Sequence, residues 1–166
     1  MTSGVSRVAF LLLIALLAGC GDQAPAPVEI QFTEFGLVEK NADGTTRFVP
    51  TTILLLREGQ VYAWRIGVRT NKDQLKYTEQ LTLAAPAQWG IRAGQRYEVS
   101  PDKKSITVYR EKDASKGAIF GTWGINADDP PGKAFIKITI EGKAEHRFDF
   151  EYRAPRRDRI GWRSHC

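Results

Sequence analysis

From residue 28 onward, hydrophobic and polar residues alternate along most of the chain. A segment with this period of two places its apolar side chains on one face of a β-strand and its polar side chains on the other. Turn residues separate the segments about every eight to twelve residues, and no segment has the period of an amphipathic helix. The pattern predicts strands at residues 28–38, 47–57, 60–70, 75–83, 97–99, 105–111, 118–126, 134–141 and 146–152.

About seven to nine short strands of this kind predict an all-β fold, in which two antiparallel sheets pack face to face as a flattened β-sandwich. Each sheet then has one buried face and one solvated face. The side chains expected to face the interior are those of Tyr62, Trp64, Ile66, Val68, Leu75, Tyr77, Leu81, Leu83, Ile106, Val108, Ile119, Trp123, Ile125, Ile136, Ile138, Ile140, Phe148, Phe150 and Tyr152.

Three positions interrupt the alternation. Gly36 predicts a break or bulge in the first strand, and Pro50 predicts an edge or an irregular entry in the second. Asp128-Asp129-Pro130-Pro131-Gly132 is the strongest turn signal in the chain. We expect the two carboxylates of this turn to be solvated, because they lack the multi-ligand spacing of a calcium-binding loop.

The closing part of the chain contains Trp123, the Asp129-Pro130-Pro131-Gly132 turn, an alternating segment and Phe148-Asp149-Phe150. This part resembles the last two strands of bacterial immunoglobulin-like domains, in which an Asp-Pro-x-Gly turn precedes an alternating strand and a final Phe-x-Phe strand. The resemblance implies an immunoglobulin-like antiparallel β-sandwich over residues 28–153. It implies no particular activity.

The residues before the alternating region form a different pattern. Arg7 precedes an apolar run of ten residues, 8–17, which ends at Leu17-Ala18-Gly19-Cys20. A membrane-spanning helix needs about 20 apolar residues, so the run has the length of a signal-peptide core. The last four residues resemble the lipobox of a bacterial lipoprotein precursor. This resemblance implies that residues 1–19 are removed and that Cys20 carries a lipid; an ordinary signal peptide with a chance cysteine is the alternative.

The lipoprotein resemblance also implies a location. Acyl chains on Cys20 would anchor the protein in the bacterial cell envelope, facing the periplasm, so the membrane is one expected partner. Gly21 follows the cysteine where enteric lipoproteins retained in the inner membrane have aspartate, which favours the outer membrane. Residues 20–27 contain two prolines and would form an extended tether. With Cys20 lipidated, Cys166 would have no intrachain partner, since the sequence contains two cysteines.

The formal net charge of +5 describes a mildly basic protein. This charge alone does not predict nucleic-acid binding, and export argues against it. The basic C-terminal tail, residues 154–166, places arginines around one tryptophan, and arginine pairs with phosphate or carboxylate. Candidate contacts to anionic lipid, lipopolysaccharide phosphates or an acidic partner are therefore Arg156, Arg157, Arg159 and Trp162; a solvated end of the chain is the alternative.

Residues suited to catalysis or metal binding form no familiar motif. His146 and His165 are too few and too far apart for a zinc site, and the sequence has no Gly-x-Ser-x-Gly elbow and no Walker loop. We therefore expect no metal, no cofactor and no enzymatic activity. His146 shares a strand face with Phe148 and is expected to border the core or cap the end of a sheet.

Glu79 is the exception to the apolar face of its strand. An unpaired carboxylate buried among apolar side chains would cost several kcal/mol. We therefore expect that a bulge turns Glu79 outward or that an arginine such as Arg65 or Arg69 pairs with it. A functional carboxylate is the remaining interpretation.

Trp89 lies in a loop, residues 84–90, that is rich in alanine, proline and glycine. If exposed, it would offer a platform for a sugar ring or a partner protein; if buried, it would close the end of the sandwich. The sequence thus predicts a membrane-anchored envelope lipoprotein that acts as a non-catalytic binding or accessory module for another envelope protein. A glycan or small-ligand binder using Trp89 is the alternative, and a hydrolase built from Glu79 and an aspartate is the third hypothesis.

Overall fold

The computed structural model describes residues 27–90 and 92–155. This part contains ten β-strands and no helix, so it has no helix able to cross a membrane. Several of the predicted features lie outside the described residues, namely the lipobox with Cys20, most of the tether, and Arg156, Arg157, Arg159, Trp162, His165 and Cys166.

The strands follow the alternating segments closely. They are β1 (Glu29–Lys40), β2 (Thr46–Pro50), β3 (Ile53–Leu55), β4 (Val61–Arg69), β5 (Gln74–Thr82), β6 (Tyr97–Val99), β7 (Ser105–Asp113), β8 (Ala118–Gly124), β9 (Gly132–Ile140) and β10 (Ala144–Arg153).

Two sheets make up the sandwich. The four-stranded sheet has the order β2-β1-β4-β8, and the six-stranded sheet has the order β3-β10-β9-β5-β7-β6. Neighbouring strands are antiparallel except β3 and β10, which are parallel. The predicted all-β sandwich is therefore confirmed, with ten strands instead of seven to nine.

The additional strand comes from the region around Pro50. The single strand predicted at 47–57 is two strands, because β2 ends at Pro50 in the four-stranded sheet and β3 joins the six-stranded sheet. Proline has no backbone N–H with which to continue a ladder. After it the chain crosses between the sheets and buries Leu54 completely.

The inward-facing faces of the two sheets form the core. Most of the side chains predicted to face inward are buried, and Trp123 is half-buried and packs against them. Aromatic rings fill one side of this core: Phe35 lies 4.9 Å from Phe150 and 5.7 Å from Tyr62, measured between ring centroids. Each large apolar side chain removed from water stabilises the fold by about 1.5–3 kcal/mol.

Two local predictions are wrong. The bulge in β1 lies between Ile30 and Phe32, whereas Gly36 pairs regularly. A Cβ atom at Gly36 would lie 2.2 Å from the carbonyl oxygen of Val49, so the glycine permits close approach of β2. The second error concerns Asp129, which is buried and accepts a hydrogen bond from the backbone N–H of Asn126, 2.9 Å away.

Candidate functional site

Glu79 lies at the centre of β5 and is completely buried. It pairs in regular register with Val108 on β7 and Ile138 on β9. Neither ladder shifts register at Glu79, so β5 has no bulge there, and the side chain points into the sandwich, toward the four-stranded sheet. The predicted bulge is wrong, and the predicted ion pair is the correct alternative, although with a different arginine.

Three hydrogen-bond donors surround the Glu79 carboxylate. Oε1 accepts hydrogen bonds from the indole N–H of Trp64 and from the indole N–H of Trp123, the latter at 2.5 Å. Oε2 accepts a hydrogen bond from Nε of Arg110 at 2.6 Å, which also balances the charge. Burial is tolerated because the carboxylate keeps both a counter-charge and hydrogen bonds in place of water.

The arginines predicted to pair with Glu79 lie on the opposite face of β4. Arg65 pairs with Glu34 and Arg69 pairs with Glu29, in both cases at the surface. The alternation of β4 explains this, because Trp64 and its even-numbered neighbours face inward and the arginines face solvent. Arg110 reaches the carboxylate instead because it is a diagonal neighbour on β7, two residues from the position opposite Glu79.

Gly121 on β8 completes this arrangement. It lies opposite Trp64 in the sheet. A Cβ atom at this position would lie 2.6 Å from the indole nitrogen of Trp64 and 2.8 Å from Oε1 of Glu79. Only glycine leaves space for both groups. The sequence signal for it is a glycine at an inward position between Ile119 and Trp123.

Beside this network, residues of β7, β8 and the loop before β6 line a cleft of 300 Å³ that we call the cationic cleft. Its walls carry the positive side chains of Arg92, Arg110 and Lys112, and Phe120 and Trp123 add aromatic surface. No aspartate or glutamate lines it. Arg110 lines the cleft, is partly exposed and pairs with the buried Glu79. This side chain therefore connects the buried network to the open surface.

The Glu79 carboxylate has little capacity left for contacts beyond its protein partners. Of the roughly four acceptor positions of a carboxylate, three on Glu79 are already used, and the group has no exposed surface. A general base must come within hydrogen-bond reach of a substrate, which this burial prevents. Within residues 27–90 and 92–155, no three histidine, cysteine, aspartate or glutamate side chains come together as a potential metal-binding group.

Trp89 is neither fully exposed nor fully buried, the two alternatives that the sequence left open. It is half-buried and packs against the core, and its indole N–H donates a hydrogen bond to the carbonyl oxygen of Lys103, 3.0 Å away. It also lines a pocket of 230 Å³ together with Trp123, Asn126 and Asp129. Burial raises the pKa of the Asp129 carboxyl above its ordinary value. Trp89 therefore closes one end of the sandwich and leaves part of its ring accessible.

His146 borders the core, as predicted. Its ring meets that of Phe148 edge to face, with 4.5 Å between the centroids. Partial burial lowers the pKa of the imidazole, since the charged form loses hydration. No carboxylate pairs with it among the described residues.

A wider recess of 630 Å³ lies on the six-stranded sheet. Its lining carries both signs of charge, with Lys76 and Arg96 near Glu111 and Glu141. Charges of opposite sign so close together do not select for a ligand of either sign. The cationic cleft, which has one sign only, is therefore the better candidate site.

Comparison with known proteins agrees with the fold. A crystal structure of an immunoglobulin-like protein from Pseudomonas aeruginosa matches with a TM-score of 0.56 and 14% sequence identity, over 78% of this chain and 99% of that chain. A β-glucosidase from Listeria innocua in complex with isofagomine matches with a TM-score of only 0.38 and 10% identity, over 77% of this chain and 16% of that chain. A search of curated proteins finds no match.

The first of these structures supports the predicted immunoglobulin-like sandwich, since it aligns over nearly its whole length. At 14% sequence identity, this similarity is evidence for the fold alone. The family described as "PM0630 beta sandwich domain" matches residues 33–153, from β1 to the end of β10. The chain therefore belongs to the PM0630 beta sandwich domain family.

Proposed function

We propose that this protein is a non-catalytic binding module of the bacterial envelope, anchored through a lipid on Cys20 and acting on another envelope protein. The anchor rests on the Leu17-Ala18-Gly19-Cys20 motif. The binding role rests on one observation in the fold, the exposed edge of β8.

β8 pairs with β4 on one side, and no described strand pairs with its other side. Proteins commonly block such edges with charged residues, with proline or by keeping the strand short. Of the other outermost strands, β2 carries Arg47 and Pro50, and β3 and β6 have three residues each. β8 has seven residues, none of them charged and none of them proline. It is therefore the outermost strand least protected against pairing with another chain.

Phe120 adds apolar surface to the same edge. Its side chain is 56% exposed, the highest value among the large exposed hydrophobic residues of the described part. Aromatic side chains of this kind contribute strongly to protein–protein interfaces. A partner that covers β8 would bury this ring and pair the free backbone groups in one step.

Site-specific crosslinking in intact envelopes tests the proposal. A photo-reactive amino acid at Thr122, which is exposed on β8, should trap a discrete envelope protein. The same amino acid at Asp149, which is exposed on β10 in the other sheet, serves as the matched control and should trap nothing specific. Equal labelling at both positions, or no reproducible product at Thr122, would remove the support for a partner on this edge.

The anchor and the tail have separate tests. Cys20→Ala should release the protein from membranes, and unchanged membrane association of that variant would contradict the lipoprotein hypothesis. Separation of inner and outer membranes should place the unaltered protein in the outer fraction. Replacing Arg156, Arg157 and Arg159 by glutamine in the released protein should reduce binding to vesicles that contain anionic lipid, if the tail contacts such lipids.

A second candidate function is the binding of a single sugar ring in the pocket between Trp89 and Trp123. The observation that favours it is the combination of two indole walls with the polar groups of Asn126 and Asp129. At 230 Å³ the pocket is below the usual size of about 300–1,000 Å³ for small-molecule sites. Titration with monosaccharides, followed by tryptophan fluorescence, should show saturable quenching that Trp89→Ala abolishes; absence of quenching would rule this function out.

A further inference from the structure

We propose that β8 pairs with an extended acidic segment of the partner protein, which continues the four-stranded sheet and places its carboxylates in the cationic cleft. This inference rests on the proposed function and specifies the chemistry of the partner. It combines two properties of the same edge, the direction of its backbone groups and the charge beside it.

The backbone of β8 presents a regular set of free groups. The N–H of Ile125 donates to the carbonyl oxygen of Gln60, and the carbonyl oxygen of Gly117 accepts from Val68, so both of these odd-numbered residues face β4. Backbone groups alternate in direction along a strand. The N–H and C=O groups that point away from β4 are therefore those of Ala118, Phe120, Thr122 and Gly124. In the described part of the chain, no backbone group on the open side of β8 bonds to these four residues.

An incoming strand could use these groups directly. Addition of an extended peptide to an exposed sheet edge is a common mode of recognition, in which main-chain hydrogen bonds give affinity and side-chain contacts give specificity. Successive side chains of the added strand would point alternately to the two faces of the sheet. One of these two faces borders the cationic cleft, so every second side chain of the added strand would point toward it.

The cations of the cleft have groups available to receive carboxylates. Arg110 uses Nε for Glu79, and its side chain is 24% exposed, which leaves the terminal guanidinium nitrogens for a ligand. Lys112 places its ammonium 5.6 Å from the centroid of the Phe120 ring, beside the free edge. Neither Lys112 nor Arg92 forms a salt bridge with another residue in the described ranges.

The buried network gives Arg110 a fixed orientation. A buried ion pair can fix the geometry of its members even where it adds little net stability over apolar residues of the same volume. Glu79 holds Nε of Arg110 from below, and the two indole groups hold Glu79. The guanidinium plane is thereby aligned before a ligand arrives, which lowers the entropic cost of binding. Glu79 is in this sense a positioning residue for the cleft.

Charge also decides between possible occupants of the edge. A second copy pairing through β8 would bring two cationic clefts together. The protein's own tail, residues 154–166, contains Arg156, Arg157, Arg159 and Arg163 but only Asp158 as an acidic residue. Both of these occupants would repel the cleft, whereas a segment rich in aspartate or glutamate would complement it.

The test uses the lipidated protein purified in detergent and three fluorescent peptides of equal length. The first alternates glutamate with valine, and the others replace glutamate by glutamine or by lysine. Fluorescence anisotropy should show saturable binding of the glutamate peptide that weakens as salt is raised, because salt screens exposed charges. The glutamine and lysine peptides should bind at least about tenfold more weakly.

Two variants separate the charge contribution from the strand pairing. Lys112→Glu should weaken binding of the glutamate peptide at least about tenfold, while Lys133→Glu on the other sheet serves as the matched charge control and should change it less than about twofold. Thr122→Pro removes one outward N–H without touching the β4 ladder and should weaken all peptide binding; thermal unfolding checks that this variant folds. Lys112 is an exposed residue, so its variant tests the inference even where the proline variant does not fold.

Several results would overturn the inference. Equal binding of the glutamate and glutamine peptides would refute the role of charge, and unchanged binding by a folded Thr122→Pro variant would refute strand pairing. Concentration-dependent dimerisation that Thr122→Pro abolishes would identify a second copy as the occupant. If crosslinking at Thr122 traps a partner that has no acidic extended segment, this inference fails while the proposed binding function stands.

Discussion

Replacement of Glu79 by glutamine is the most direct perturbation of the buried network. Glutamine keeps the size of the side chain but has one acceptor oxygen where the carboxylate has two. Its NH₂ group is itself a donor, so in either orientation of the amide it faces at least one of the three donors that now bond to Glu79. The substitution thus removes a hydrogen bond and also creates a donor–donor contact in a completely buried site.

The expected cost follows from these contacts. The hydrogen bond between a charged pair such as Glu79 and Arg110 contributes about 1.5–3 kcal/mol, and a buried donor left without a partner costs about 1–3 kcal/mol. Together they add to about 2.5–6 kcal/mol. The usual cost of breaking a buried ion pair lies within this range, so we expect a loss of about 3–5 kcal/mol in the free energy of unfolding. For a domain of about 130 residues, this loss corresponds to a fall in Tm of roughly 10–20 °C.

A surface ion pair provides the matched control. Glu39 pairs with Arg47 at 2.7 Å, but the two side chains are 39% and 64% exposed. Glu39→Gln changes the same chemical group and should cost less than about 1 kcal/mol, because water replaces the lost contact. Urea unfolding followed by tryptophan fluorescence measures both variants. If Glu79→Gln costs no more than Glu39→Gln, the buried network does not hold the fold as we describe.

Three further predictions concern other parts of the core. Gly121→Ala should lower the free energy of unfolding by about 1–3 kcal/mol, because the added methyl group overpacks against the buried carboxylate. The control Gly124→Ala lies on the same strand, where a Cβ meets nothing within 4 Å, and should change it by less than about 0.5 kcal/mol. Urea unfolding measures both variants, and similar costs would contradict the close approach at Gly121. Burial raises the pKa values of Tyr62 and Tyr152, whose hydroxyls lie 2.8 Å apart. Their contribution to stability should therefore be complete below about pH 10, the ordinary tyrosine value, and be lost as pH rises above it, with the phenolate absorbance of these two residues appearing only on unfolding. Trp89→Ala should cost about 2 kcal/mol in thermal or urea unfolding, and an unchanged Tm would show that the ring does not close the sandwich.

The alternating pattern predicts most of the strands and the buried face of each one. Alternation with a period of two is a local property, because successive side chains of any extended backbone point to opposite faces. Tyr62, Trp64 and Ile66 could therefore be assigned to the interior without knowledge of the strand order. The Leu17-Ala18-Gly19-Cys20 motif is likewise read from the linear sequence, and its lipid anchor stays a prediction.

The order of neighbouring strands follows from the packing of the whole fold. β5 and β7 pair although β6 lies between them in the chain, and only this pairing brings Arg110 next to Glu79. The same long-range order leaves β8 at an edge and opens the cationic cleft beside it. Contacts of this kind depend on the packing of two whole sheets, so no local pattern in the sequence predicts them. The buried carboxylate was visible as an exception in β5, but its partners and its neighbouring cleft follow from the fold alone.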